Sequence, residues 1–395
     1  MALRVLVAGG GIGGLAAALA LARDGHRVEL LEQAAVFSEI GAGIQLGPNA
    51  MRRLAALGVA GDVEAVAAHP GALVVADAST GREFARMPLG DAMRARYGAR
   101  YCCVHRADLH AVLAQALRLH GDAVALHLDS RIVRVEDGRD AVGVTTQDAR
   151  SRQADALVGA DGLWSAVRPA VVDAESAPRV TGHTAWRGLI AQDALPPALR
   201  SGDVRVWLGP RMHAVAYPVR RGEALNVVVL AESPPAGDAR DWDQPGSLAA
   251  LHKATGRCAG PLQALIGSIG PWRAWTLCDR EPLAGPSEMA RGRIALLGDA
   301  AHPMLPYLAQ GAGMAIEDAL ALAEALRDVR ERTADVPAAL GRYARARWRR
   351  DAQVQSRARR NARIFHLTGP MRLGRDLALR TFGRRLLDVP WLYGG

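Results

Sequence analysis

Gly9-Gly10-Gly11-Ile12-Gly13-Gly14 and Glu32 are the first residues of the chain whose types and spacing imply chemistry. The string satisfies G-x-G-x-x-G, and Glu32 follows at the distance expected of an acid that reaches a ribose. Gly9 permits a tight turn, Gly11 lets the backbone approach a pyrophosphate, and Gly14 allows close helix–strand packing. A helix beginning at Ile12 and Gly13 would offer free N–H groups and its positive dipole end to phosphates. Glu32 would accept hydrogen bonds from adenosine ribose hydroxyls, which suits an unphosphorylated ribose. The string does not separate a flavin from a nicotinamide dinucleotide. Nothing else in the chain repeats it, so one dinucleotide has a fixed site.

Two distant segments carry acids in a related setting: Gly159-Ala160-Asp161-Gly162 and Leu297-Gly298-Asp299-Ala300-Ala301-His302-Pro303. Each places an acid beside glycine at the C-terminal end of a short apolar run, the edge where ligands bind in an open α/β sheet. Asp299 could accept from the ribityl chain of a flavin. The N–H groups that follow it could bind the pyrophosphate or the flavin's electron-accepting edge. Either acid alone also fits a helix cap.

A third set lies mid-chain. His213 and Tyr217, in MHAVAYPV, are four residues apart and share one face of a strand, roughly 13 Å apart. A two-residue turn within Arg220–Glu223 would fold the next strand back and set Asn226 opposite Tyr217. Such a polar set suggests a pocket wall. His213, with an ordinary pKa near 6.5, is the expected base, and Tyr217 the orienting hydroxyl.

These residues need elements to hold them. Residues 2–8 and 27–32 read as buried strands, and 13–24 as a helix stopped by Asp24-Gly25. Strand, glycine loop, helix and strand make a βαβ unit, hence a parallel sheet. Residues 106–119 read as another helix. Residues 155–160 and 293–297 read as two more strands, each followed by helical sequence, the second from about Gln310 to Arg330. Between 179 and 278, runs at 184–190, 203–208, 212–219 and 224–231 are strand-like with turns between them, which predicts an antiparallel sheet. From Pro337 onward the pattern is helical. The expected division is residues 1–70, 100–178 and 279–335 for a dinucleotide-binding domain, 71–99 and 179–278 for a substrate domain, and 336–395 for a C-terminal helical region.

At 395 residues, half of them apolar, the chain can bury a large core. The formal net charge of +9 is carried by arginine, since Lys253 is the only lysine. It is densest at 342–363, where nine arginines face Asp351. That run reads as a solvated helical face. Attraction of anionic substrates, of NAD(P)H or of an anionic surface partner is the functional alternative. No nucleic-acid motif accompanies it, so no nucleic-acid partner is expected. Cys102, Cys103, Cys258 and Cys278 lack metal-ligand spacing and read as reduced thiols, so no metal is expected. No apolar stretch is long enough to span a bilayer, and Met1-Ala2-Leu3-Arg4 runs straight into a strand without a signal pattern. A cytoplasmic enzyme, monomeric or homodimeric, is the expectation.

The three motifs together resemble those of the single-component (class A) FAD-dependent aromatic hydroxylases. Within that family the chain is most similar to 3-hydroxybenzoate 6-hydroxylases, salicylate hydroxylases and 6-hydroxynicotinate 3-monooxygenases. Arg106-Ala107-Asp108-Leu109 resembles the helix start whose arginine contacts FAD. Gly41-Ala42-Gly43-Ile44-Gln45, Ala185-Trp186-Arg187-Gly188 and Ala309-Gln310-Gly311-Ala312-Gly313 also fit, in the expected order along nearly the whole chain.

The resemblance implies a Rossmann-like α/β fold with an inserted antiparallel-sheet substrate domain. It implies FAD, NADH or NADPH as donor, O2 as co-substrate, and a flavin C4a-hydroperoxide that attacks a phenol made electron-rich. It places Gln45, Pro306, Gly311 and Ala312 with the cofactor, and Asn226, Tyr307 and Gln310 with a small aromatic acid. His302 falls near the flavin ring, touching substrate or holding its loop. Trp186 reads as core, and His105 and His183 are less defined. A flavin oxidase without oxygen insertion, or a monooxygenase on a larger natural product, are the rival readings.

Overall fold

The computed structural model describes residues 2–37, 42–172, 177–329 and 335–395. Gly41 and Arg330 therefore lie outside the described residues.

The N-terminal motif folds as its sequence requires. Strands Arg4–Ala8 and Arg27–Leu31 pair in parallel, with helix Ile12–Arg23 between them in sequence. Ala156–Gly159 joins the other edge of the first strand, and Ile294–Leu296 follows, both parallel. Val124–His127 extends the far side. A two-residue strand, Ala290–Arg291, closes the sheet antiparallel. Leu6, Leu30 and Leu157 have no exposed surface, as expected of strands covered on both faces. The helix is built of alanine, leucine and glycine, and ten of its residues are buried. It shares one core with the sheet and with helix Gly311–Arg327. Asp161 is not followed by an α-helix. Among the described residues only a 3-10 turn, Arg168–Ala170, lies there, because Asp161 and Ser165 cap the N–H groups of one tight loop.

The second sheet has eight strands. Trp272–Asp279, Arg179–Ala191, Ala224–Glu232, Met212–Val219 and Val204–Gly209 are neighbours in that order and antiparallel. The expected antiparallel sheet is present, and it is extended by one parallel pair, Val204–Gly209 with Ala72–Asp77. The two strands come from distant parts of the chain, so no tight turn dictates their direction. The hairpin after Val219 closes through Glu223 N–H to Arg220 O at 2.9 Å. Arg221 and Gly222 both have positive φ, the geometry of a type I′ turn. Tyr217 is thereby set opposite Asn226.

Helices Val336–Phe365 and Gly369–Leu387 and the short Pro390–Tyr393 follow at the C-terminal end. The arginine run is not simply a solvated face. Arg347 is 6% exposed and bonds Glu317, Asp318 and Asp351, each at 2.8 Å. Arg350 bonds Glu317, and Arg359 reaches Asp279. These long side chains turn inward because helix Gly311–Arg327 presents adjacent buried acids that need a planar multi-donor partner. Arg342, Arg345, Arg349, Arg360 and Arg363 do face solvent.

Candidate active site

The three glycine-and-acid motifs meet at one edge of the parallel sheet. Gly9 has φ +99°, and a Cβ there would fall 2.5 Å from Ala160 O. A Cβ on Gly14 would fall 1.9 Å from Gly9 O, so strand and helix touch at van der Waals distance. Gly13 and Gly298 both face Ala315 in the first turns of helix Gly311–Arg327. Gly11, by contrast, has nothing within 4 Å on its open side. Neither helix Ile12–Arg23 nor Gly311–Arg327 has a side-chain cap, which leaves first-turn N–H groups for an anion. Gly311 and Ala312 are half-buried at the second of these starts, and Pro306 is exposed. An open cradle flanked by two uncapped helix starts fits a dinucleotide pyrophosphate.

Glu32 lies beside this cradle and accepts from Gly10 N–H at 2.6 Å and Ala34 N–H at 2.8 Å. His110 Nε2 lies 2.8 Å from Gly10 O, so the Gly10 backbone is held at both its N–H and its carbonyl. His110 has only a weak signal in the sequence, a histidine on the inner face of a helix. Asp161 is used within its own loop, where it accepts from Ser165 Oγ and from Ala166 and Val167 N–H. Arg168 then donates to Ala300 O and Ala301 O and ties the second motif to the third.

Asp299 differs from Asp161. It opens onto the groove and has no hydrogen-bond partner among the described residues, yet protein surrounds it. Burial pushes its carboxyl upward, against the charges of His302 and Arg106. Arg106 is in turn held down by burial and supported by Asp299 and Glu32. Its guanidinium sits 5.3 Å from the Trp242 ring centroid.

The large sheet presents a grid of side chains on one face. Cross-strand pairing aligns Leu189, Asn226 and Tyr217 in one row, Arg187, Val228 and Val215 in the next, and Ala185, Leu230 and His213 in the third. His183 and Glu232 form the next row. Val215, Val228 and Leu189 are only half-buried, as are Met304 and Leu308 from the loop after the third motif. Apart from Arg187, whose guanidinium bonds Asp243, the middle of the face is therefore apolar, with polar groups at both ends. Trp186 points to the opposite face and is core.

At one end, Tyr217 OH donates to Gly43 O at 2.7 Å, and Asn226 Oδ1 accepts from Gly43 N–H at 2.8 Å. A Cβ on Gly43 would fall 2.4 Å from Tyr217 Cε2, so only glycine fits the clamp. Asn226 Nδ2 is buried without a partner. Gln45, two residues on, accepts from Tyr101 OH at 2.8 Å.

At the other end, His213 Nδ1 lies 3.0 Å from His366 Nε2, and its Nε2 has no hydrogen-bond partner among the described residues. Burial pulls its pKa well below the usual histidine range, and His366 and His183 add to this. The ring is neutral at pH 7. The Tyr307 ring lies tilted against that of His213, with centroids 4.9 Å apart, and its hydroxyl bonds His183 Nδ1 at 2.6 Å. Phe365 and His366 have no signal in the sequence, because a helix terminus far along the chain carries no sign of what it covers. His105 is buried outside this cluster, with its pKa lowered mainly by burial.

His302 and Gln310 are not brought to the grid. His302 has no exposed surface and places Nε2 2.6 Å from Asp318 Oδ2. Burial pulls its pKa down, but the carboxylates of Asp351 and Asp318 outweigh this and hold it at about 9. Its bonds support the loop-holding alternative, and none supports substrate contact. Gln310 Oε1 accepts from Asn49 Nδ2 at 3.0 Å, on helix Pro48–Ala56.

Comparison with known proteins agrees with this geometry. The family model described as FAD binding domain matches residues 2–358. A 3-hydroxybenzoate 6-hydroxylase of Polaromonas naphthalenivorans (strain CJ2) is 40% identical over 395 residues, covering 99% of this chain and 96% of that protein. A 6-hydroxynicotinate 3-monooxygenase of Bordetella bronchiseptica is 38% identical and covers 81% of each. The crystal structure of Klebsiella pneumoniae HpxO complexed with FAD and uric acid superposes with a TM-score of 0.85 at 29% identity, covering 97% of this chain and 94% of that one.

Proposed function

The chain belongs to the FAD binding domain family of aromatic-ring monooxygenases, and we propose that it hydroxylates a small phenolic aromatic acid of the 3-hydroxybenzoate kind. NADH or NADPH serves as donor and O2 as oxidant. The observation that carries the substrate class is the grid: an apolar strip with neutral, unpartnered His213 Nε2 at one end and unpartnered Asn226 Nδ2 at the other. A flat ring fits the strip, a phenol fits the base, and a carboxylate or ring oxygen fits the amide donor.

FAD, when bound, passes the donor's electrons to O2 and delivers one oxygen atom to the ring. Gly9, Gly11, Ile12, Gly13 and Gly14 would cradle its pyrophosphate, with Glu32 at the ribose. Arg106, Asp299, Gln45, Gly298, Pro306, Gly311 and Ala312 would lie along the rest. Asp161 acts by shaping the second-motif loop. His213 Nε2 takes the phenol proton, which makes the ring electron-rich, and general-base help of this kind supplies about 10²–10⁴-fold. Tyr217 donates its O–H to Gly43 O and so orients the Asn226 end of the strip, where the amide meets the substrate carboxylate. Tyr307 closes the base end, while His302 and Gln310 hold the loop behind it. Half-buried Met304 and Leu308 help exclude water from the strip. A cytoplasmic location and a monomeric or homodimeric state belong to the same proposal.

The test is NADH and NADPH oxidation by the purified yellow protein with 3-hydroxybenzoate, salicylate and 6-hydroxynicotinate in turn, with products identified. Ring hydroxylation of one acid, coupled to donor consumption, is expected. Hydrogen peroxide as sole oxygen product with every phenol would overturn the reading.

A further inference from the structure

His183, Glu232 and His366 come from three separate parts of the chain, and one ligand atom of each lies within 4.8 Å of the others. His183 and Glu232 are direct cross-strand partners. His366, the residue after helix Val336–Phe365, lies over them, its ring centroid 4.9 Å from that of His183. One nitrogen of each histidine is already engaged: His183 Nδ1 with the Tyr307 hydroxyl, and His366 Nε2 with His213 Nδ1. His183 Nε2 and His366 Nδ1 remain. The latter is buried without a hydrogen-bond partner, on a side chain 5% exposed. Glu232 is exposed, with Arg211 at 3.6 Å, so it can swing inward.

We propose that these three side chains bind a divalent transition-metal ion of the zinc type, and that its binding switches off His213. Two imidazoles and a carboxylate suit zinc and leave a fourth position for water. Partners on the second nitrogens fix ring orientation, as they do in established metal sites. The other cluster of this kind, His302 with Asp318 and Asp351, does not qualify, because the Arg347 guanidinium bonds both carboxylates and already supplies the cation.

The switch follows from tautomers. Without metal, His213 can donate Nδ1–H to His366 Nε2, which leaves His213 Nε2 free to accept the phenol proton. A metal on His366 Nδ1 displaces the proton there, so His366 carries its proton on Nε2 and donates it to His213 Nδ1. His213 must then hold its own proton on Nε2, taken from solvent, and the total proton count is unchanged. The base now presents a donor where an acceptor is needed. This inhibitory half rests on the role proposed for His213; the metal site itself does not.

The test is calorimetric titration of EDTA-treated holoenzyme with zinc chloride, alongside hydroxylation assays. One zinc per chain is expected, with hydroxylation lost in proportion to occupancy while FAD stays bound. Glu232→Gln and His183→Asn should each weaken zinc binding at least about tenfold. Glu232→Gln should retain metal-free activity and escape inhibition at zinc levels that silence the parent. Absence of stoichiometric binding, or equal affinity in both variants, overturns the site. Full occupancy without loss of hydroxylation overturns the switch. If none of the aromatic acids is hydroxylated, calorimetry still decides the site by itself.

Discussion

His213 Nδ1 and His366 Nε2 share one hydrogen bond at 3.0 Å, with both rings buried, so the proton position on one ring sets that on the other. A base placed this way is primed on its far nitrogen. His213→Ala should lower the hydroxylation rate by about 10²–10⁴-fold while the flavin absorbance of the purified protein is unchanged. An unaltered product rate would remove His213 from the role of base.

The depressed pKa of His213 also sets a pH dependence. Burial is the main cause, with His366 and His183 adding to it. The accepting form therefore persists well below the ordinary histidine value. The pH profile of kcat/KM should show no acid limb near 6.5. A limb there, absent from the His213→Ala variant, would contradict the neutral buried ring.

Gly11 and Gly14 separate cofactor binding from folding. Gly11→Ala meets no atom within 4 Å, so the protein should fold with its thermal midpoint intact in the flavin-free state. Its FAD dissociation constant should rise by at least about tenfold through intrusion on the pyrophosphate cradle. Gly14→Ala drives a methyl into Gly9 O and should lower expression and stability. Flavin titration and melting of both variants check the contrast, and equal FAD affinity in Gly11→Ala would refute the cradle.

Gly43 should tolerate no side chain. Its clamp by Tyr217 and Asn226 leaves 2.4 Å where a methyl would sit. Gly43→Ala should cost about 1–3 kcal/mol by overpacking, read from urea denaturation. Pairing it with Tyr217→Ala should recover part of the loss, and absence of recovery would mean the two do not touch.

The charge network behind the flavin loop buries one guanidinium among three carboxylates. Arg347→Met should cost about 3–5 kcal/mol, because it leaves Glu317, Asp318 and Asp351 without their shared cation. His302 adds a pH signature. Its folded pKa of about 9 lies above the ordinary 6.5, so its contribution is fully present below about pH 6.5 and is lost as pH rises through 9. That contribution is on the order of 3 kcal/mol, at 1.36 kcal/mol per pH unit. Denaturation midpoints of the parent should fall more steeply between pH 6 and 9.5 than those of His302→Gln, and parallel slopes would exclude the imidazolium.

Much of this architecture is readable from local signals. The first βαβ unit is written in a β-branched run, a glycine turn and an alanine–leucine helix, and the register of Tyr217 with Asn226 follows from one short turn. Contacts set by distant chain are not readable. Asp161 looks like a cofactor ligand, but its carboxylate is spent on its own loop. Arg347 looks solvated, because the acids that draw it inward lie a full helix earlier. His366 reads as an ordinary helix end, and only the fold brings it to His213.

The pairing of Ala72–Asp77 with Val204–Gly209, and of Ala156–Gly159 with Ile294–Leu296, has a consequence for biogenesis. Neither sheet can close until strands made much later have left the ribosome, and such long-range pairing assembles slowly. The nascent N-terminal glycine turn must wait for the Gly298–Asp299 segment before it forms a complete nest. Flavin capture at the complete nest therefore comes late in the life of the polypeptide, after the Ile294–Leu296 strand has been made and paired.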